Sequence, residues 1–113
     1  MSDLDVPEIT VAELSARLAD EGRPRPVLLD VRRPGEHALC ALEGSLLAPL
    51  HELPDRAEEL SQLVGREVVV YCHHGVRSLG GAAILRDLGV DAVSLQGGID
   101  AWSREIDPRV PRY

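Results

Sequence analysis

Apolar residues in this chain fall into short dense runs separated by Gly, Pro and charged residues, and the runs are of two kinds. Val27-Leu28-Leu29-Asp30-Val31 and Glu67-Val68-Val69-Val70-Tyr71 are largely β-branched or aliphatic and apolar on both sides, as buried strands are. Ala92-Val93-Ser94-Leu95, leading to Gly97-Gly98, predicts another strand. Ser45-Leu46-Leu47, introduced by Gly44 and stopped by Pro49, predicts a short one, and Glu8-Ile9 a short edge strand. Between them lie segments of helical character. Thr10-Val11-Ala12-Glu13 has the spacing of a capping box, with Val11, Leu14 and Leu18 on one face and Gly22 and Pro24 ending the helix. A short helical turn is expected through Glu36-His37-Ala38. Leu53 to Leu63 reads as an amphipathic helix, with Pro54 and acidic residues early and Gly65 as its cap. Leu79 to Leu88 reads as a helix closed by Gly89, and Asp100 to about Ile106 as a last helix carrying Trp102. Residues 1–7 read as a frayed start, and Pro108 and Pro111 make the tail extended.

Strands alternating with helices over 113 residues predict one domain, residues 1–113, of the α/β class. The expected architecture has three layers, a central, mainly parallel sheet flanked by helices. In such sheets ligands bind beyond the carboxyl ends of the strands.

Charge and composition narrow the function. Net charge is −7, which disfavours nucleic acid and anionic membranes as partners. No apolar run approaches the length of a membrane span and no leader-like segment opens the chain, so a cytoplasmic location is expected. Two cysteines, Cys40 and Cys72, are too few for a disulfide scaffold and fit a reducing compartment. There is no Lys, which excludes Schiff-base chemistry and a phosphate-loop lysine. There is no Phe and one Trp, so the core must be aliphatic.

The chain is organised around Cys72-His73-His74-Gly75-Val76-Arg77-Ser78. A strand before it and a helix after it put a thiol at a strand tip, among backbone N–H groups and facing a helix N-terminus. The dipole contributes about 0.3–2 kcal/mol towards a negative charge there. Well-aimed N–H groups add about 1.5–3 kcal/mol each. The setting therefore favours the thiolate, the nucleophilic form, and equally a charged adduct on sulfur. An inert buried cysteine would need neither the Gly-kinked loop nor the arginine. Arg32, at the tip of another strand, and Arg33 are expected at the same sheet edge, Arg32 as a candidate for the site and Arg33 as a solvated turn. Metal binding is disfavoured, because Cys72, His73 and His74 are consecutive and no Cys-x-x-Cys pair exists. A Ser-His-Asp hydrolase is disfavoured because no Gly-x-Ser-x-Gly elbow is present.

Three landmarks in order resemble the rhodanese family: Asp30-Val31-Arg32-Arg33-Pro34-Gly35-Glu36, then Tyr71-Cys72 with its loop to Arg77-Ser78, then Gly97-Gly98-Ile99-Asp100-Ala101-Trp102. The resemblance covers nearly the whole chain. It implies a rhodanese-like fold and sulfur transfer through a Cys72 persulfide, without a cofactor or a metal. The reaction would run from a small anionic donor such as thiosulfate to cyanide, a thiol or a protein carrier. It implies that the backbone of His73, His74, Gly75, Val76, Arg77 and Ser78 cradles the sulfur. Arg77 would hold the leaving group or brace the loop, Ser78 would be the helix N-cap near the sulfur, and His73 and His74 would occupy specificity positions. Asp30 is expected to fix a turn and Trp102 to lie in the core. Cys40-Ala41-Leu42-Glu43-Gly44-Ser45 departs from the family's usual Gly-His-Ile-Pro-Gly-Ala. Cys40 there, with the ending Ile106 to Tyr113, is similar to the rhodanese domain of ubiquitin-activating-like adenylyltransferases. That similarity implies a ubiquitin-like sulfur-carrier protein or an adenylyltransferase as a partner. Two alternatives stand beside sulfur transfer: an arsenate reductase or phosphatase on the same fold, whose cradle has five residues between Cys and Arg where this chain has four, and a non-catalytic binding module, against which the presence of Cys72 counts.

Overall fold

The sheet explains where everything else lies. In the computed structural model, which describes residues 6–113, five strands run in the order β1-β5-β4-β2-β3 and every pair is parallel. They are β1 (Glu8–Ile9), β2 (Val27–Asp30), β3 (Leu46–Leu47), β4 (Glu67–Tyr71) and β5 (Asp91–Leu95). Register sets Asp30 beside Tyr71 and Val70 beside Ser94, so the carboxyl tips of β2, β4 and β5 share one edge. The expected α/β class and parallel sheet are what the structure has.

Side chains alternate across the sheet, as the pleat requires. Leu29, Val31, Val68, Val70 and Cys72 enter one aliphatic core, and Leu28, Val69 and Tyr71 enter the other. Helices α1 (Val11–Ala19) and α5 (Gly98–Glu105) cover the second face, through Val11, Leu14, Ile99 and Ala101. The Thr10 capping box is formed, with Glu13 N–H donating to Thr10 Oγ1 at 3.1 Å and Thr10 N–H donating to Glu13 Oε1 at 3.0 Å. Trp102 packs half-buried against the same core. Helix α2 (Pro34–Leu39) is the expected short helix, begun two residues earlier at Pro34 and carried one residue further to Leu39.

Helix α4 (Arg77–Asp87) lies on the first face and presses the sheet closely. Gly81 allows this: a Cβ there would stand 3.2 Å from Cγ1 of both Val31 and Val70. The close approach brings the N-terminus of α4 to the tip of β4.

Three expectations are corrected. The helix predicted over Leu53 to Leu63 is broken into 3₁₀ turns at Leu50–Arg56 and Ser61–Leu63 around one α-turn, α3 (Ala57–Leu60). Pro54 lies inside the first turn, where it lacks an N–H for an α-ladder. The frayed start fails at its end: residues 1–5 lie outside the described residues, but Val6 is buried in the first core and the Pro7 carbonyl accepts from Ser94 N–H at 3.0 Å. The expected N-cap of α4 at Ser78 is instead at Val76, and Ser78 sits inside the first turn. Among the described residues no helix is long and apolar enough to cross a membrane.

Candidate active site

Cys72 leaves the tip of β4 on the first face of the sheet, 1 % exposed, and its Sγ is met by donors. Gly75 N–H donates to Sγ at 3.1 Å and Ser78 N–H at 3.4 Å, and Ser78 Oγ lies 3.5 Å from Sγ. Ser78 N–H is one of the orphan donors of the first turn of α4, so the helix end and the loop act on one atom. Ser78 Oγ also bonds Ser94 Oγ at 2.7 Å, from the neighbouring strand β5. Ser78 is not the cap, because its hydroxyl is engaged at the sulfur.

The loop is forced into this shape from behind. At the N-terminus of α5, Ile99 N–H donates to the Cys72 carbonyl at 2.9 Å and Asp100 N–H to the His73 carbonyl at 3.0 Å. Those carbonyls point away from the sulfur and into the end of α5. Gly98, at φ 62°, lies so close beneath them that any Cβ would strike both oxygens. Gly75, at φ 95°, lets the chain reverse: a Cβ there would come within 2.9 Å of Gly97 N and 3.1 Å of Leu95 O. Carbonyls out and N–H groups in is what makes the cradle.

The flanking side chains divide by exposure. Val76 is 74 % exposed, so it adds backbone to the loop and no wall. Arg77 makes a two-pronged ion pair with Glu36 of α2, Nη1 to Oε1 at 2.7 Å and Nη2 to Oε2 at 2.9 Å. Those bonds from Arg77, joined by bonds from the Tyr113 hydroxyl and Arg33 N–H, hold the Glu36 carboxyl far below the usual carboxylate range against its partial burial. His73 is stacked between two rings, His74 at 3.9 Å and 30° and Tyr113 at 3.9 Å and 8°. Burial, then the charge of His74, lowers the His73 pKa from the ordinary imidazole value. His74 is exposed.

Arg32 belongs elsewhere, which corrects its place among the site residues. Its side chain is fully buried and its donors are spent: Nε and Nη2 donate to Asp30 at 2.9 and 2.7 Å, Nη2 to the Cys40 carbonyl at 2.6 Å and Nη1 to Tyr113 Oη at 2.9 Å. Asp30 also accepts from Arg32 N–H at 3.0 Å and bonds His37 Nδ1 at 2.8 Å, the turn-fixing role expected of it. Arg33 is exposed. Cys40 lies in the second core and Cys72 in the first. His73, His74 and Asp100 bring ligand-type atoms within 4.8 Å of one another. Each Asp100 oxygen is held by an arginine, Arg104 or Arg112, at 3.0 Å, so the three present no open ligand set.

The sequence did not show the contacts that three residues make at the site. Ser94 carried a signal, a polar residue inside an apolar strand. Glu36 stood in the first landmark and Tyr113 in the ending, but nothing local marked the bonds of either to Arg77, Arg32 or each other. A cavity of about 420 Å³ opens at the opposite edge of the sheet among Arg17, Arg23, Arg25 and Arg66, away from Cys72.

Comparison with known proteins agrees with this geometry. A sulfurtransferase of Allochromatium vinosum is 40 % identical over 106 residues, spanning 93 % of this chain and 95 % of that protein. A probable adenylyltransferase/sulfurtransferase, MoeZ, of Mycobacterium tuberculosis is 40 % identical over 107 residues, but the matched part is only 26 % of its length. The solved structure of a rhodanese-related protein from Thermoplasma volcanium superposes with a TM-score of 0.79 at 29 % identity, covering 95 % of this chain and 99 % of that one. Residues 10–105 match the Rhodanese-like domain, and with that match and a relative of nearly equal length the chain belongs to the rhodanese-like domain family.

Proposed function

We propose that this protein is a sulfurtransferase that carries sulfane sulfur on Cys72, taking it from an anionic donor such as thiosulfate. One observation carries the reading: a buried sulfur at a strand tip, bonded by the Gly75 N–H of the loop, the Ser78 N–H of the helix end and a serine hydroxyl, with no carboxylate or cation bonded to it among the described residues. Such a place stabilises negative charge on the Cys72 thiolate and, once sulfur is loaded, on the outer atom of a persulfide held in the same cradle.

The steps follow from the residues. The Cys72 thiolate attacks the outer sulfur of thiosulfate. A new S–S bond forms at Sγ, the donor's S–S bond breaks, and sulfite leaves with the bonding pair. In the thiolate state the Ser78 hydroxyl turns its proton to Sγ while the Ser94 hydroxyl donates to Ser78, an arrangement the 2.7 Å contact between them allows. A nucleophilic acceptor then attacks the outer persulfide sulfur and releases the Cys72 thiolate. With cyanide the product is thiocyanate. Arg77, fixed by Glu36, lends positive charge at the loop for the departing sulfite. Four residues separate Cys72 from Arg77, a loop sized for sulfur rather than for a tetrahedral oxyanion. The resemblance of Cys40 and the ending Ile106 to Tyr113 to the rhodanese domain of ubiquitin-activating-like adenylyltransferases makes a ubiquitin-like sulfur-carrier protein the physiological acceptor we favour, and relatives named adenylyltransferase and sulfurtransferase fit that choice.

The test is thiocyanate formation from thiosulfate and cyanide. Wild-type protein should turn over and Cys72→Ser should not. Turnover by Cys72→Ser at the wild-type rate would overturn the proposal, and so would faster hydrolysis of an aryl phosphate than sulfur transfer by wild type.

A further inference from the structure

The tail beyond α5 turns back along that helix instead of leaving the molecule. Ser103 Oγ donates to the Val110 carbonyl at 2.6 Å, Val110 packs against the second core, and Arg112 Nε donates to Asp100 at 3.0 Å. Asp100 stands at the end of α5 that braces the carbonyls of Cys72 and His73. The tail therefore delivers Tyr113 to the catalytic loop.

There Tyr113 joins three elements. Arginine can only donate, so at the 2.9 Å contact with Arg32 Nη1 the phenol oxygen is the acceptor. Its own proton then goes to Glu36 Oε2 at 2.6 Å. Glu36 is the residue that grips Arg77 with both oxygens. The ring meanwhile lies nearly parallel to His73, centroids 3.9 Å apart. The hydroxyl thus runs to Arg77 through Glu36, and the ring holds the side chain next to the nucleophile.

We propose that Tyr113 is a positioning residue of the sulfur-transfer site: its hydroxyl fixes the Glu36–Arg77 pair and its ring fixes His73, so that it sets the mouth by which donors reach Cys72. The inference rests on the sulfur-transfer reading for its kinetic arm only. It assigns two separable duties to one side chain, and two substitutions separate them. Tyr113→Phe keeps the ring and loses the hydroxyl, and Tyr113→Ala loses both. Tyr113 is 43 % exposed and belongs to neither apolar core, although both changes take the acceptor from the buried Arg32 Nη1.

The experiment measures steady-state thiosulfate kinetics and the titration of the His73 ring by proton NMR in the three proteins. The groups facing His73 are His74 in the loop, Asp100 of α5, Glu36 of α2, Arg77 of α4 and Tyr113 itself. Tyr113→Ala should raise KM for thiosulfate about tenfold with kcat changed less than about twofold, the pattern of a lost hydrogen bond to a charged group that acts in binding. It should also move the His73 midpoint up towards the ordinary imidazole value, because the ring that buries it is gone. Tyr113→Phe should raise KM by a smaller factor and leave the His73 midpoint where it is in wild type. Either an unchanged KM or an unmoved His73 midpoint in Tyr113→Ala overturns the proposal. If wild type forms no persulfide, the sulfur-transfer reading falls by itself, and the His73 titration still decides whether Tyr113 holds the loop.

Discussion

Two neighbouring strand tips, paired at Asp30 and Tyr71, each bury a polar centre, and they are built in opposite ways. Beyond β2, Asp30 and Arg32 are both fully buried and neutralise each other, with the remaining donors taken by the Cys40 carbonyl and Tyr113. Beyond β4, Cys72 is as deeply buried, but its sulfur meets two N–H donors and a hydroxyl and, among the described residues, no bonded ion of either sign. A satisfied ion pair is inert and holds the chain in place. A set of donors around an atom that can become negative is a site waiting for charge. The same burial thus serves architecture at one tip and chemistry at the next, and Glu36 with Tyr113 ties the two together.

If the β2 centre is architecture, breaking it should cost stability before it costs chemistry. Arg32→Ala leaves the Asp30 carboxylate in the core with only His37 and the backbone N–H of residue 32 and should cost about 3–5 kcal/mol, read by urea unfolding. Whatever remains folded should still load sulfur on Cys72. A variant of full stability without sulfur loading would return Arg32 to the site.

If the β4 centre is chemistry, distorting the cradle should do the reverse. Gly75→Ala puts a Cβ against Gly97 N and Leu95 O, backbone atoms that cannot yield, and pulls one N–H from Sγ. Losing one charge-assisted donor should slow loading about 10- to 100-fold, with the conversion of ~1.4 kcal/mol to tenfold. An unslowed variant would show that the Gly75 donor plays no part.

The link between the tips should show as an acid limb. The Glu36 carboxyl is held below its unfolded value, so its stabilisation is whole above about pH 4.5 and is lost as pH falls further towards the folded value. Unfolding free energy should decline below that pH, and Glu36→Gln should flatten the decline. An equally steep limb in the variant would assign it to other carboxylates. The smallest effect is expected at Cys40. Its Sγ has only a long contact to Arg32 Nη1, at 3.9 Å, so Cys40→Ser should load sulfur at a rate within about twofold of wild type.

Much of this was legible because it is local. The strands are dense β-branched runs, the capping box at Thr10 is a four-residue pattern, and a cysteine between a strand and a helix announces its own donors. The parts that were not legible depend on residues far apart in sequence. Arg32 is withdrawn from the site by Asp30 beside it and by Tyr113, 81 positions away. Ser78 looked like a cap because Ser suits caps, but Ser94 on the adjacent strand and Cys72 compete for its hydroxyl. The Gly-Gly step at 97–98 was visible as a landmark, yet its task of seating two loop carbonyls appears only once α5 is placed against β4. The Leu53–Leu63 segment misled because its apolar spacing is helical while Pro54 denies it the ladder.

The central claim, that burial at the β4 tip is reactive and burial beside the β2 tip is not, is tested most directly by mapping where sulfur lands. Wild-type protein, which holds both cysteines free, would be incubated with thiosulfate, digested and read by peptide mass spectrometry, with and without cyanide. The expected result is the added mass of one sulfur atom on the peptide bearing Cys72, removed by cyanide, with the Cys40 peptide unmodified. Sulfur on Cys40 with Cys72 unmodified would contradict it.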